Sequence, residues 1–246
     1  MKRIFMVVAL LLAMLPMVVS NTANAAVIMS AGDFQFIGQA YIDTSKNTIN
    51  GTGTRGVGRI TSILDAAGDI AWSYGADNTY LAFVFDGIHS NKDLVTNDFI
   101  ALGSDGGTVK FYESATNNFD SGLNFTDSAT TIGTGELWLD AIIAGLIAGH
   151  SDDVSYRANG FIDVVGGSQG TRFDTGSRSM GDGNFADLSF SLVGSNNDST
   201  LVHADYEYRT SAFSDGNVST VPTPSALLLL GSGMVGLIAT RRKPTV

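Results

Sequence analysis

The chain contains no cysteine. That absence excludes disulfide staples, metal–thiolate centres and thiol catalysis together, so stability has to come from a packed core. Histidine is nearly as scarce. His89, His150 and His203 are the only three in 246 residues; they fall in different predicted elements, and none stands at metal-ligand or triad spacing. Glutamate is scarce too, since Glu113, Glu136 and Glu207 are the only Glu among 24 acidic residues. The remaining acids are Asp, which like Asn favours turns and strand ends over helix interiors. Gly51-x-Gly53-x-x-Gly56 has the spacing of a dinucleotide fingerprint, but no strand-to-helix unit follows it, and a flexible loop accounts for it. Paired carboxylates for glycoside hydrolysis are expected by chance among so many Asp residues and carry no weight. The expectation is a protein that is not an enzyme.

Long apolar runs are confined to the two ends. Lys2-Arg3 forms a short positive region, Ile4 to Val19 an apolar one, and Ala23-Asn24-Ala25 a small-x-small cleavage site. Residues 1–25 are therefore expected to be a signal peptide, cut by signal peptidase after Ala25. At the other end Val221-Pro222-Thr223-Pro224 precedes an apolar run, Ser225 to Thr240, and a basic stop, Arg241-Arg242-Lys243. The two prolines impose an extended stretch that a protease site reads easily. The sixteen apolar residues span about 24 Å as a helix, short of the ~30 Å hydrocarbon core, so a short transmembrane helix at 225–240 would make a weak, temporary anchor. Cations held on the cytoplasmic side would place residues 26–220 outside the inner membrane.

The tail at 221–246 resembles the PEP-CTERM sorting signals of Gram-negative bacteria, which are read by exosortases. That family pattern runs Val-Pro-Glu-Pro, Ser or Ala, a short Leu/Gly-rich helix and a terminal Arg cluster. Here it stands as Val221-Pro222-Thr223-Pro224-Ser225-Ala226, Leu227 to Gly233, and Arg241-Arg242-Lys243, with Thr223 where the family carries Glu. The same tail also goes under the name ice-binding protein C-terminal, which implies nothing about ice. The resemblance implies export by a Gram-negative bacterium, a transient inner-membrane stage, an exosortase-type enzyme as partner, and final delivery to the cell surface or beyond. Residues 106–112, the strand around Trp138, and Gly160 to Gly167 ahead of Phe173-Asp174-Thr175 also resemble flocculation-associated proteins with this tail, which implies a place in floc or biofilm matrix.

Between the ends lies a body of about 195 residues, enough for one large all-β domain. Five of the 14 Lys and Arg (Lys2, Arg3, Arg241, Arg242, Lys243) belong to the ends, which leaves nine cations against 24 acids in the body, a net −15. Such a surface repels nucleic acid and anionic lipid. Strands are predicted at Phe34 to Asp43, Val57 to Leu64, Thr79 to Ile88, Tyr156 to Val165, Phe185 to Val193 and Leu201 to Phe213. Phe99 to Leu102 and Val109 to Tyr112 read as a hairpin around Gly103 to Gly107. Leu137 to Ala148 reads as a strand entering a short buried helix. The spacing of strands and turns predicts a single β-sandwich or jelly roll.

Two sites are candidates within that body. Asp182-Gly183-Asn184 with Asp187 offers alternating oxygens to calcium, although the same residues also make an ordinary turn, as does Asp152-Asp153. Calcium is the only cofactor the sequence offers. Trp72 and Tyr74, at alternate positions of a strand, would present two rings on one face for stacking on sugars, with Tyr80 nearby; core packing is the competing account. The functional expectation is an exported structural or adhesive protein of the cell surface or extracellular matrix, associated with exopolysaccharide. The alternative is a calcium-assisted carbohydrate-binding module, and a polysaccharide hydrolase comes third.

Overall fold

A computed structural model describes residues 30–45, 53–92, 98–102, 107–152, 154–181, 183–196 and 202–219. The expected signal peptide with Ala23 and Ala25, the sorting motif Val221 to Pro224, the apolar run and Arg241-Arg242-Lys243 lie outside the described residues. Among the described residues no helix is long and apolar enough to cross a membrane.

Strand β1, Gly32–Asp43, shows how the sequence builds the wall. Phe34, Phe36, Ala40 and Ile42 point to a common core, while Gln35 and Gln39 alternate with them outward, as a half-buried strand requires. Strands β2 (Thr54–Asp65), β3 (Ile70–Ser73), β4 (Tyr80–Ile88), β5 (Ser90–Lys92), β6 (Asp98–Leu102) and β7 (Thr108–Ser114) follow. Then come a two-turn helix α1 (Phe125–Ile132), β8 (Glu136–Ser151) and β9 (Ser155–Gly166). A single helical turn α2 (Gly170–Phe173), a small hairpin of β10 (Arg178–Ser179) and β11 (Phe185–Ala186), then β12 (Leu188–Asn196) and β13 (Tyr208–Val218) complete the order.

Eight of these strands, β1, β2, β4, β7, β8, β9, β12 and β13, form a closed barrel in which each is antiparallel to the next in sequence. The last strand closes on the first along a ladder from Gly32↔Val218 to Ile42↔Tyr208. The predicted sandwich or jelly roll is therefore overturned: one meandering sheet curls onto itself, with no second sheet facing it. Alternation along a strand reports that one face is buried, and it reads alike whether a sheet packs on another or on its own far side.

Two local expectations fail for related reasons. Leu137 to Ala148 is strand throughout, part of β8. Its periodicity blurs because the pairing with β9 slips between Ala144 and Ala148, at a bulge where Gly145 takes φ +65°. The expected hairpin of Phe99 to Leu102 with Val109 to Tyr112 does not form either. Strand β6 runs along Leu146 to His150 and β7 along Glu136 to Ile142, both antiparallel to β8. They are two pieces of one interrupted strand, and their hairpin partner is β4 with β5.

The lumen is filled by side chains. Phe83 and Phe85 of β4 turn inward opposite Gly58 and Gly56 of β2, where a Cβ would strike each ring. Phe173, carried by α2, is fully buried and packs edge-on against Trp138 and Phe34 at centroid distances of 5.1 and 5.2 Å. What remains is an apolar cavity of about 60 Å³ lined by Phe83, Phe85, Phe111, Ile143, Phe190 and Ser214, among others. Pockets for small molecules run to ~300–1,000 Å³, so the lumen is core rather than ligand site. A second, smaller cluster lies on the outer wall, where α1 and the segment before it bring Phe119, Phe125 and Ile132 onto Tyr41, Val57, Ala82 and Tyr206. That cover ends at a rim formed with the turn after β3.

Candidate functional site

The rim collects the polar and aromatic groups that the barrel leaves half-buried. Arg59 is outward on β2, directly across from Gln39 on β1, and its Nη2 donates to Gln39 Oε1 at 3.1 Å. The guanidinium carbon lies 5.3 Å from the Tyr74 ring centroid and 5.6 Å from that of Phe119, so the cation is flanked by two rings. Tyr74 is held from several directions. Its N–H donates to the Thr61 carbonyl at 2.9 Å, its ring meets Tyr80 edge-on at 5.0 Å, and its hydroxyl donates to Asn117 Oδ1 at 2.7 Å. The same Asn117 oxygen accepts from the Phe119 N–H at 3.1 Å, which ties the segment after β7 to the turn after β3. Burial pushes the Tyr74 phenol above its ordinary pKa, and the Arg59 charge pulls it the other way.

Arg59 differs electrostatically from Arg55 and Arg178. Among the described residues it has no ion-pair partner, whereas Arg55 pairs with Asp43 at 2.9 Å and Arg178 with Asp215 at 2.8 Å. Its Nε is buried and meets no acceptor.

The sequence-predicted sugar platform is divided by the fold. Trp72 is only 9 % exposed and belongs to the main core, with its indole N–H buried and unbonded. Tyr74 alone reaches the rim, half-buried. The two do not share an open face because β3 ends at Ser73 and the chain turns at Tyr74, where alternation no longer applies. Tyr80 joins the rim as expected from its nearness, whereas Arg59, Gln39, Asn117 and Phe119 were not legible as parts of it.

The sequence-predicted calcium residues do not come together as a set. Asp182 lies outside the described residues, and Asn184 is exposed in the β10–β11 turn, its carbonyl accepting from Met180 N at 3.0 Å. Asp187 is buried and its carboxylate is occupied by backbone: Oδ2 accepts from Val164 N at 2.8 Å, and Oδ1 from Thr175 N and Gly176 N at 2.6 Å each. It ties β9 to the segment after α2. Burial, with the charges of Asp187 and Asp174, raises the pKa of nearby Asp163 above the usual carboxylate range. Among the described residues no group of three or more His, Asp or Glu side chains is placed to hold a metal ion. Asp152 is likewise engaged, accepting from Val154 N at 2.8 Å and Ser155 N at 2.6 Å and contacting His150 Nε2 at 2.9 Å. The histidine contact and those backbone donors hold its carboxyl well below the usual range.

No family model, curated protein or solved structure matches the chain.

Proposed function

We propose that this chain is an exported, non-enzymatic adhesive protein whose barrel holds extracellular polysaccharide at the rim around Arg59 and Tyr74. The observation that carries this reading is the rim itself: two tyrosine rings, a flanked guanidinium and the amides of Gln39 and Asn117 gathered on the outer wall. Sugars offer apolar ring faces to aromatics and hydroxyls to amides, so these groups suit them. The filled lumen leaves the outer wall as the surface open to a polymer. Delivery belongs to the ends, where the Val221-Pro222-Thr223-Pro224 motif supports sorting by an exosortase-type enzyme after signal peptidase has acted at Ala25.

Both halves are testable in the native host. The purified chain is expected to co-sediment with the host's extracellular polysaccharide, and Tyr74→Ala to weaken that association several-fold. Full recovery of the wild-type chain in the supernatant would refute the adhesive reading. Mass spectrometry of the extracellular form is expected to find Ala26 first and no residue beyond 224; a terminus at Val246 would refute the sorting reading.

A further inference from the structure

We propose that Arg59, framed by Tyr74 and Phe119, takes the carboxylate of an acidic saccharide unit, so that the polysaccharide recognised at the rim is a uronate-bearing one. The inference rests on the saccharide reading above and narrows it to a substrate class. Three observations converge on it.

The first is unspent bonding capacity. A guanidinium presents a rigid planar fork of donors, and carboxylate is the saccharide group that matches it with two parallel bonds. Arg59 spends hydrogen bonds on two neutral groups, Gln39 and the Tyr74 phenol, and among the described residues it forms no ion pair with an acid. The second is orientation. Rings at 5.3 and 5.6 Å fix the cation, and because both residues are neutral they leave its charge without a counter-ion. The third is the company of neutral groups. Gln39 and the exposed Asn117 flank the cation with amides suited to sugar hydroxyls, and the edge-to-face pair of Tyr74 and Tyr80 supplies apolar ring surface beside them. Nucleic acid, which also carries anions, is disfavoured by the net −15 of the body, since its binding draws on many phosphate contacts and the rim has one free cation.

The test titrates the full chain, in nonionic detergent, with oligogalacturonate and with its methyl ester, which keeps the sugar rings and removes the charge. The acid is expected to bind at least about tenfold more tightly than the ester. Arg59→Met is expected to remove that preference and Arg59→Lys to restore part of it, with the thermal midpoint of each variant recorded alongside. The Arg59 Nε resonance is expected to shift on adding the acid and to stay in place on adding the ester. The acid-against-ester comparison on the wild-type chain needs no substitution, so it decides even if Arg59→Met does not fold. Equal binding of acid and ester, with no movement of the Arg59 signal, would overturn the carboxylate inference and leave saccharide binding standing. Binding of neither oligomer, in a chain that also fails to co-sediment with host polysaccharide, would overturn both.

Discussion

Asp187 accepts three backbone N–H groups from two separate segments, and hydrogen bonds to a charged acceptor are each worth roughly 1.5–3 kcal/mol. Asp187→Asn turns one of those acceptor oxygens into a donor that faces an N–H. Chemical denaturation is expected to show a loss of about 2–3 kcal/mol, with no change on adding calcium. Its neighbour Asp163 behaves in the opposite sense. A carboxyl whose pKa is raised in the folded state binds protons more tightly there than in the unfolded chain. Its favourable contribution is present below the ordinary Asp value and is lost as pH rises through the raised folded value. Asp163→Asn is therefore expected to be more stable than the parent at neutral pH, with an advantage that shrinks in acid; melting curves across pH would show it. The oxygen-rich spacing of Asp182, Asn184 and Asp187 was legible in the sequence. That Val164, Thr175 and Gly176 converge on Asp187 was not, because those donors are backbone atoms and any residue supplies them.

At the scale of elements, composition was a good guide to strands and a poor one to what joins them. The stretches from Phe34, Val57, Thr79 and Tyr156 became β1, β2, β4 and β9 with ends moved by a few residues. Helix α1 was missed because Phe-Thr-Asp-Ser-Ala-Thr-Thr-Ile is rich in residues with weak helix preference. The signal that marks it is Asn124 three residues ahead of Asp127: the Asn124 side chain caps the helix by accepting from the Asp127 N–H at 2.9 Å. In β2, Gly56 reads from the sequence as a loop residue and Gly58 as part of the predicted strand from Val57. They are small because the Phe85 and Phe83 rings occupy the lumen where a side chain would stand. Gly58→Ala is expected to cost about 1–3 kcal/mol through overpacking, read as a lowered denaturation midpoint. A companion Phe83→Leu is expected to recover part of that loss by giving the new methyl room.

For the barrel, the eight strands follow one another in sequence order, and among the ladders of the described residues that build it the β1–β13 ladder alone joins the first strand to the last. That one ladder separates a barrel from an open sheet, and nothing local in either strand announces it. Closure removes free edges from the barrel, which compensates for a chain without disulfides. Residues 26–220 are expected to unfold in one cooperative transition with a sheet-type circular dichroism spectrum, and a chelator is expected to leave the midpoint where it was. A transition that depends on metal would return Asp182 and Asn184 to consideration.

Gly32 and Val218 are register partners, so the chain enters and leaves the barrel at the same point of its rim. The ladder beside that point responds to force according to how it is loaded. Pulling the two exits apart strains the outermost pair first and peels β1 from β13 one bond at a time, which needs little force. A load applied between the end of β13 and the Arg59 rim on β2 instead runs across two ladders and engages many hydrogen bonds at once. Tethered by its trailing end and loaded at the rim, the barrel would resist in its strong direction; seized by both ends it would unzip.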